Sequence, residues 1–196
     1  AYAQAIVEHR NDLYASVLFQ ANQQLKLGLN ARQPMVNGRL RAFTPSLFAE
    51  RRLLQQDRLS LSWRAQLNRS FRLPTLNDRY WNPGGNLDLV AETGYGLDNS
   101  LKLETKGERL QSSSSLSYFH QLVDNWIIWI PGGSDVDEEG NPISFWFPDN
   151  VRRVQAQGLS LRQELSYALA DRWQLSLLLA WRYTSTVNKE ALNRFF

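Results

Sequence analysis

The chain has 196 residues, a net charge of +3 from 22 basic and 19 acidic residues, and no cysteine. The lack of cysteine excludes disulfides, thiolate metal sites and a cysteine nucleophile. Basic residues are scattered along the whole sequence, which argues against a nucleic-acid-binding surface. The longest apolar runs, at 126–130 and 177–181, are far shorter than the roughly 18 residues that a membrane-spanning helix needs.

Apolar residues recur at every second position, which predicts strands with one apolar and one polar face. In residues 59–68 the odd positions are Leu, Leu, Trp, Ala and Leu, and every even position is polar. The same alternation predicts, in chain order, strands at 12–22, 25–33, 41–53, 58–71, 93–105, 109–130, 150–169 and 172–187. A soluble β-sandwich shows the same alternation, so the period alone leaves both all-β folds open.

The connections between these strands alternate strictly in length. Short ones are predicted at 22–24, 54–57, 106–108 and 170–171, and long ones at 34–40, 72–92, 131–149 and after 187. Outer-membrane barrels have short periplasmic turns and long external loops, so the alternation favours a barrel. Charged residues on the predicted inward face also favour it, because a sandwich core cannot bury them without partners: Arg64, Arg162, Glu164 and Arg182.

An ordered string of residues fills the second long connection and the strand ends beside it. It consists, in order, of Phe71, Arg72, Pro74, Thr75, Leu76, Asn77, Asp78, Tyr80, Gly85, Asn86, Leu89, Glu92 and Thr93. This string resembles the signature of the TonB-dependent outer-membrane transporters, which import scarce large nutrients such as cobalamin and ferric siderophores. Residues 124–129 and 150–161 also follow the family's order, so the resemblance covers about residues 12–187.

The resemblance implies an all-β fold: an antiparallel transmembrane β-barrel segment of about 8–9 strands from a larger barrel of roughly 22 strands. Residues 1–196 would form part of one barrel domain, with the plug domain and terminal strands outside the chain. The implied location is the outer membrane of a Gram-negative bacterium. Implied partners are outer-membrane lipid and lipopolysaccharide, the nutrient ligand and, through the full-length protein, the plug domain and the TonB complex. Neither a cofactor nor enzymatic activity is expected.

Two other functions stay open on the sequence. One is a complete small outer-membrane barrel with a passive or structural role. The other is a secreted β-sandwich that binds carbohydrate. Catalysis finds no support, because His9 and His120 lie far apart without acidic neighbours at ligand spacing, and the serine run at 112–115 has no base nearby.

Aromatic and amide side chains concentrate in or beside the two longest predicted connections. We expect these residues to contact the ligand, since together they offer flat apolar area and hydrogen-bonding groups: Tyr80, Trp81, Asn82, Trp126, Trp129 and Trp146. Ordinary loop packing is the alternative role. Aromatics near the predicted strand ends fit the interfacial girdles of a barrel: Trp63, Trp173, Trp181 and Tyr183.

An acidic segment in the third long connection begins like a calcium-binding loop, with Asp135, Asp137 and Glu139. The twelfth position of that pattern is Trp146 in place of glutamate, which excludes an EF-hand. A looser cation site on this connection is the remaining functional prediction, and a solvated acidic turn is the alternative.

Overall fold

The computed structural model describes residues 5–136, 140–170 and 172–189. These residues form nine strands and one short helix: β1 (Arg10–Gln20), β2 (Leu25–Val36), β3 (Arg39–Leu40), β4 (Thr44–Gln55), β5 (Leu59–Arg72), α1 (Leu76–Tyr80), β6 (Glu92–Lys106), β7 (Leu110–Val136), β8 (Pro142–Ala170) and β9 (Trp173–Asn188). No helix among them is long and apolar enough to cross a membrane.

The strands build a single antiparallel sheet in the order β1-β2-β4-β5-β6-β7-β8-β9, with β3 paired only to β2. Apart from the short β3, the strands therefore lie side by side in sequence order, as in an up-and-down barrel wall. The prediction of an antiparallel all-β fold is confirmed. A β-sandwich needs two sheets packed face to face, and the described strands form one, so that alternative is wrong. The sheet is open, because β1 and β9 each pair on one side only within the described residues.

The two faces of the sheet differ in polarity. Paired residues of neighbouring strands carry their side chains on the same face, so they form rows across the sheet, and apolar rows alternate with polar ones. One row across five strands consists of Trp63, Leu101, Leu116, Leu161 and Trp181. The next row, on the opposite face, consists of Arg64, Ser100, Ser117, Ser160 and Arg182. Leu101, Leu116, Leu161 and Trp181 are all exposed although apolar. A face of this kind is typical of a barrel wall that meets lipid, and the polar face is typical of its lumen.

The predicted inward charges lie together on the polar face. Arg162 donates to Glu164 at 2.7 Å, two positions along β8. The Arg64 guanidinium lies 5.5 Å from the ring centre of Phe48, its neighbour across β4 and β5. On the apolar face, Gln163 is a polar interruption, and its amide oxygen accepts a hydrogen bond from the Ser114 hydroxyl.

The predicted loop at 131–149 is wrong. β7 continues to Val136 and β8 begins at Pro142, so most of this stretch is a two-stranded hairpin. Prolines and glycines interrupt the local strand pattern here: Pro131, Gly132, Gly133, Pro142 and Pro148. Each strand of an isolated hairpin has an outer edge where a proline removes no ladder hydrogen bond. The glycines are accommodated by a register shift between Pro131 and Gly133, where Gly132 has a φ of +125°.

The other two long connections also contain regular structure. β2 turns at Asn37 and Gly38, with φ of 50° and 75°, into β3, a two-residue turn of the kind that suits tight hairpins. The connection from β5 to β6 contains α1. Both lie at the end of the sheet where the β7–β8 hairpin projects, and the short turns at 21–24, 56–58 and 107–109 lie at the opposite end. The predicted short turns are confirmed at 21–24, 56–58 and 107–109, whereas strand pairing occupies much of the predicted long connections at 34–40 and 131–149.

Candidate functional site

Arg72 and Glu92 close the base of the 73–91 connection. They are cross-strand partners at the end of β5 and the start of β6. Arg72 Nε donates to Glu92 Oε2 at 2.8 Å, and its terminal nitrogen bonds the other carboxylate oxygen. That oxygen also accepts the backbone N–H of Ile127 at 2.8 Å. Because β6 begins at Glu92 while β7 runs on, this carboxylate supplies an acceptor to a β7 N–H beyond the ladder of β6.

Thr75 and Asp78 begin the helix α1 with a reciprocal cap. The Thr75 hydroxyl accepts the N–H of Asp78 at 3.1 Å, and Asp78 Oδ2 accepts the N–H of Thr75 at 2.8 Å. Asp78 is buried, at 6% exposure. Its second oxygen, Oδ1, accepts the indole N–H of Trp129 at 3.0 Å. One carboxylate therefore both caps the helix and joins it to β7.

The electrostatic balance at Asp78 favours the charged carboxylate. Burial alone would raise the pKa of Asp78, because it removes water from the charged form. Hydrogen bonds from Thr75 and Trp129, together with the positive charge of Arg72, outweigh burial and hold the pKa of Asp78 below its ordinary value. Asp78 is therefore an anionic acceptor at neutral pH.

A tight turn follows α1 and brings Asn86 back beneath it. The N–H of Gly85 donates to Trp81 O at 2.6 Å. A Cβ at Gly85 would lie 2.5 Å from Arg79 O, so only glycine fits this turn. The N–H of Asn86 donates to Asp78 O at 2.9 Å, and its side-chain amide donates to Pro148 O at 3.1 Å. The motif positions Gly85 and Asn86 thus close the turn and tie it to β8.

Asn150 holds the last part of the connection, a role that the sequence analysis did not assign. Its Oδ1 accepts the N–H of Val90 at 2.9 Å, and its Nδ2 donates to Val90 O at 3.2 Å and to Asn125 O at 2.7 Å. Asn125 has a left-handed backbone, with φ 58°. An amide side chain suits this position because it can donate to a carbonyl and accept from an N–H at the same time.

The structure divides the predicted ligand-contacting aromatics between two faces of the hairpin. Trp126 and Trp129 are three residues apart in β7, so strand alternation places them on opposite faces. Trp129 faces the 73–91 connection through its bond to Asp78. Trp146 lies on the same face as Trp129, because Trp146 pairs with Pro131 two positions along. The structure thus separates Trp126 from Trp129 and Trp146.

Trp81 and Trp146 are the exposed aromatics beside this contact, at 42% and 58% exposure. A Cβ added at Gly84 would lie 2.5 Å from Trp146 O, so the backbone after Trp81 lies directly against that of Trp146. Tyr80 is half-buried at the end of α1, and Asn82 is exposed. The backbone after α1 and the hairpin backbone at Trp146 are therefore in close contact, and the nearest side chain to Gly84 is the ring of Phe145, 2.9 Å from the added Cβ.

The acidic candidates for a cation site are only partly described. Asp135 is exposed and its carboxylate accepts the N–H of Val136 at 2.9 Å. Asp137 and Glu139 lie outside the described residues. Within those residues no group of three or more His, Asp or Glu side chains could hold a metal ion. The cation site stays a prediction.

A single sheet with one lipid-compatible face, one polar face, short turns at one end and long connections at the other defines the wall of a membrane β-barrel. The family described as "TonB dependent receptor-like, beta-barrel" matches residues 2–194, and the chain belongs to it. This confirms the family that the motif indicated.

Among proteins of described function, the chain resembles the vitamin B12 transporter BtuB of Photobacterium profundum, with 30% identity over 97 residues. The match covers 50% of this chain and 14% of BtuB. Two solved structures share the fold, both at 19% identity. The siderophore receptor PirA of Pseudomonas aeruginosa has a TM-score of 0.68, covering 91% of this chain and 35% of PirA. The copper transporter OprC has a TM-score of 0.57, covering 93% and 30%.

The chain therefore spans about a third of the length of these structures and less of BtuB.

Proposed function

We propose that this chain forms part of the barrel wall and external connections of an outer-membrane transporter that imports a large, scarce nutrient, cobalamin or an iron chelate, with energy supplied through TonB. Membership of the TonB-dependent receptor family supports the transporter class. Similarity to a vitamin B12 transporter and to a siderophore receptor supports this class of substrate. The location would be the outer membrane of a Gram-negative bacterium, with lipid and lipopolysaccharide against the apolar face.

One observation supports a ligand site at particular residues. The motif side chains dock the 73–91 connection onto the β7–β8 hairpin and leave Trp81 and Trp146 exposed beside the contact. Exposed indoles on the two contacting segments, together with the amide of Asn82, would provide flat apolar area and hydrogen-bonding groups, the combination that orients a large ring-shaped ligand. Aromatic anchors of this kind contribute roughly 2 kcal/mol or more each to binding.

The open sheet fits a wall that is completed by further strands. Both edges, β1 and β9, carry exposed apolar side chains such as Leu13, Phe19, Leu177 and Trp181. Unpaired strand edges cannot stay in lipid, where their backbone groups find no partner. This supports our proposal that residues 1–196 belong to a barrel of roughly 22 strands, whose lumen a plug domain fills.

Uptake by whole cells tests the proposal. The full-length protein is expressed in a host that lacks its own cobalamin and siderophore transporters, and uptake of ⁵⁷Co-cyanocobalamin and of ⁵⁵Fe-loaded siderophores is measured with and without TonB. We expect TonB-dependent uptake of one of these probes. Uptake that persists without TonB would contradict the proposal and favour a passive barrel.

Two substitutions test the site itself. Trp81→Ala and Trp146→Ala should each weaken the affinity for the transported probe by tenfold or more, because each removes an exposed aromatic anchor. Trp181→Leu is the matched control, since Trp181 lies on the apolar face of β9, away from the long connections. Unchanged affinity in both alanine variants, at an equal amount of folded protein, would remove these residues from the ligand site.

A further inference from the structure

We infer that Asp78 and Trp129 are a positioning pair: their hydrogen bond fixes α1 against the β7–β8 hairpin and so sets the placement of Trp81 relative to Trp146. The inference rests on the proposed function in one respect, the contact of Trp81 and Trp146 with the ligand. It changes the role predicted for Trp129, from a ligand contact to a support for the ligand site.

The Trp129 side chain is committed to the protein. Its only hydrogen-bonding group, the indole N–H, donates to a buried carboxylate oxygen at 3.0 Å. Its ring is half-buried, whereas Trp81 and Trp146 are both exposed. A ligand that approached Trp129 would compete with a charge-assisted hydrogen bond, which is about twice as strong as a neutral one.

Asp78 forms hydrogen bonds with three segments of the chain. Oδ2 binds the N–H of Thr75 at the start of α1, Oδ1 binds Trp129 of β7, and the backbone carbonyl accepts the N–H of Asn86 after the turn. Arg72 lies close enough to stabilise the charge. A displacement of Asp78 therefore moves the beginning of the helix and the turn that follows it.

This arrangement also fixes the position of Trp81, because the same helix and turn hold its backbone N–H and carbonyl. Its N–H donates to Asn77 O at 3.2 Å, and its carbonyl accepts the N–H of Gly85 at 2.6 Å. Trp146 belongs to the paired hairpin that also carries Trp129. The bond between Asp78 and Trp129 is thus a side-chain link between the helix that precedes Trp81 and the hairpin that holds Trp146.

Other hydrogen bonds also tie the connection to the hairpin: Asn86 donates to Pro148 O, and Asn150 both accepts the N–H of Val90 and donates to its carbonyl. Both hold residues after the tight turn. Loss of the Trp129 bond should therefore release α1 selectively, while residues 86–90 stay docked.

Hydrogen–deuterium exchange on the full-length protein tests this without a ligand. Trp129→Phe keeps an aromatic ring and removes the N–H. We expect amide exchange in peptides covering residues 75–85 to rise by roughly tenfold or more, as loss of a hydrogen bond to a charged group implies. Peptides from β5 should not change. Trp126→Phe is the matched control for exchange, because it alters an indole three positions away on the other face.

Asp78→Asn provides a second variant in case Trp129→Phe reduces the amount of folded protein. Its amide has one acceptor oxygen where the carboxylate has two, so it cannot accept from Thr75 and Trp129 together, and it lacks the charge that strengthens the bond to Trp129; exchange in the same peptides should therefore rise. Equal exchange in both variants and in the wild type would overturn the inference, whatever uptake shows.

Uptake kinetics separate this inference from the proposed function. With the probe that the wild type transports, Trp129→Phe should raise KM by several-fold and leave the maximal rate per folded molecule unchanged. Faster exchange with an unchanged KM would overturn the link to the ligand site, while TonB-dependent uptake still supported the proposed function. A wild type that transports neither probe would contradict the proposed function, and the exchange result would then decide by itself whether the pair positions α1.

Discussion

Arg72 and Glu92 form a bidentate ion pair across β5 and β6, and Glu92 is also the acceptor for the backbone N–H of Ile127 in β7. Three strands therefore meet at one carboxylate whose side chain is 9% exposed. Both members of the pair belong to the sequence motif, at either end of the connection that carries α1. The geometry gives these two positions a structural role that does not depend on the ligand.

Substitution of Glu92 should destabilise the long-connection end of the sheet. Glu92→Ala leaves the Ile127 N–H buried without an acceptor and Arg72 without its partner, at a cost of about 2–3 kcal/mol. Urea unfolding of the full-length protein in lipid vesicles measures it. Glu108→Ala is the control, because Glu108 forms a solvent-exposed pair with Arg58 at 3.3 Å, and such pairs contribute little. Equal stability of both variants would argue against this role of Glu92.

A methyl group at Gly158 should be tolerated poorly. The added Cβ would lie 2.5 Å from Tyr183 O and 2.4 Å from the Phe119 ring, and the carbonyl belongs to the neighbouring backbone, which cannot move away cheaply. We expect Gly158→Ala to lower the yield of folded, heat-modifiable protein. In Gly96→Ala the three atoms nearest the Cβ all belong to the movable amide of Asn68, the first at 2.8 Å, so this variant should fold like the wild type. The prediction fails when the two variants fold equally.

Docking of α1 should depend on pH through Asp78. Its pKa is lower in the folded protein than in the unfolded chain, where it is about 3.9. The stabilisation is therefore fully present above about pH 4 and is lost as the pH falls through the lower, folded value. The difference in tryptophan emission between the wild type and Trp129→Phe, followed from about pH 7 to about pH 2, should change only in that acidic range. A transition near neutral pH would assign the docking to another group.

The two faces of β5 should differ in their access to lipid and water. Spin labels at Leu61 and Trp63 should be relaxed by oxygen dissolved in lipid, since these residues lie in the apolar rows with Leu103 and Leu101. Labels at Ser62 and Arg64 should respond to a water-soluble relaxation agent. The reverse accessibility would mean that the register is shifted by one residue, which exchanges the two faces.

Much of the fold could be predicted from the sequence, because strand alternation is a local signal. Residues 59–68 alternate without an error, and the predicted strand at 58–71 differs from β5 by one residue at each end. The hairpin from β7 to β8 was missed for a physical reason. A ladder between two strands of 27 and 29 residues tolerates prolines on its outer edges and a bulge at Gly132, and the same residues, viewed locally, indicate a loop.

The candidate site was located by its motif but could not be assembled from it. Strand alternation alone could have separated Trp126 from Trp129, since an odd spacing puts them on opposite faces. The partner of Trp129 could not be found this way, because Asp78 lies 51 residues earlier and only the tertiary fold brings them together. The same holds for Asn150 and Val90, 60 residues apart. Such contacts leave no periodic signal in the chain.

The length of the β7–β8 hairpin determines which part of the protein is most accessible from outside the cell. The ladder between β6 and β7 ends at Asp124, and β7 continues to Val136. At about 3.3 Å per residue this stretch adds about 40 Å of strand, more than the height of the hydrophobic band of an outer-membrane barrel. In the proposed orientation the hairpin extends beyond the neighbouring strands of the barrel wall, away from the membrane. Antibodies, phage and proteases at the cell surface would then meet the hairpin near Val136 before they meet Trp126 and Trp129, which lie closer to Asp124.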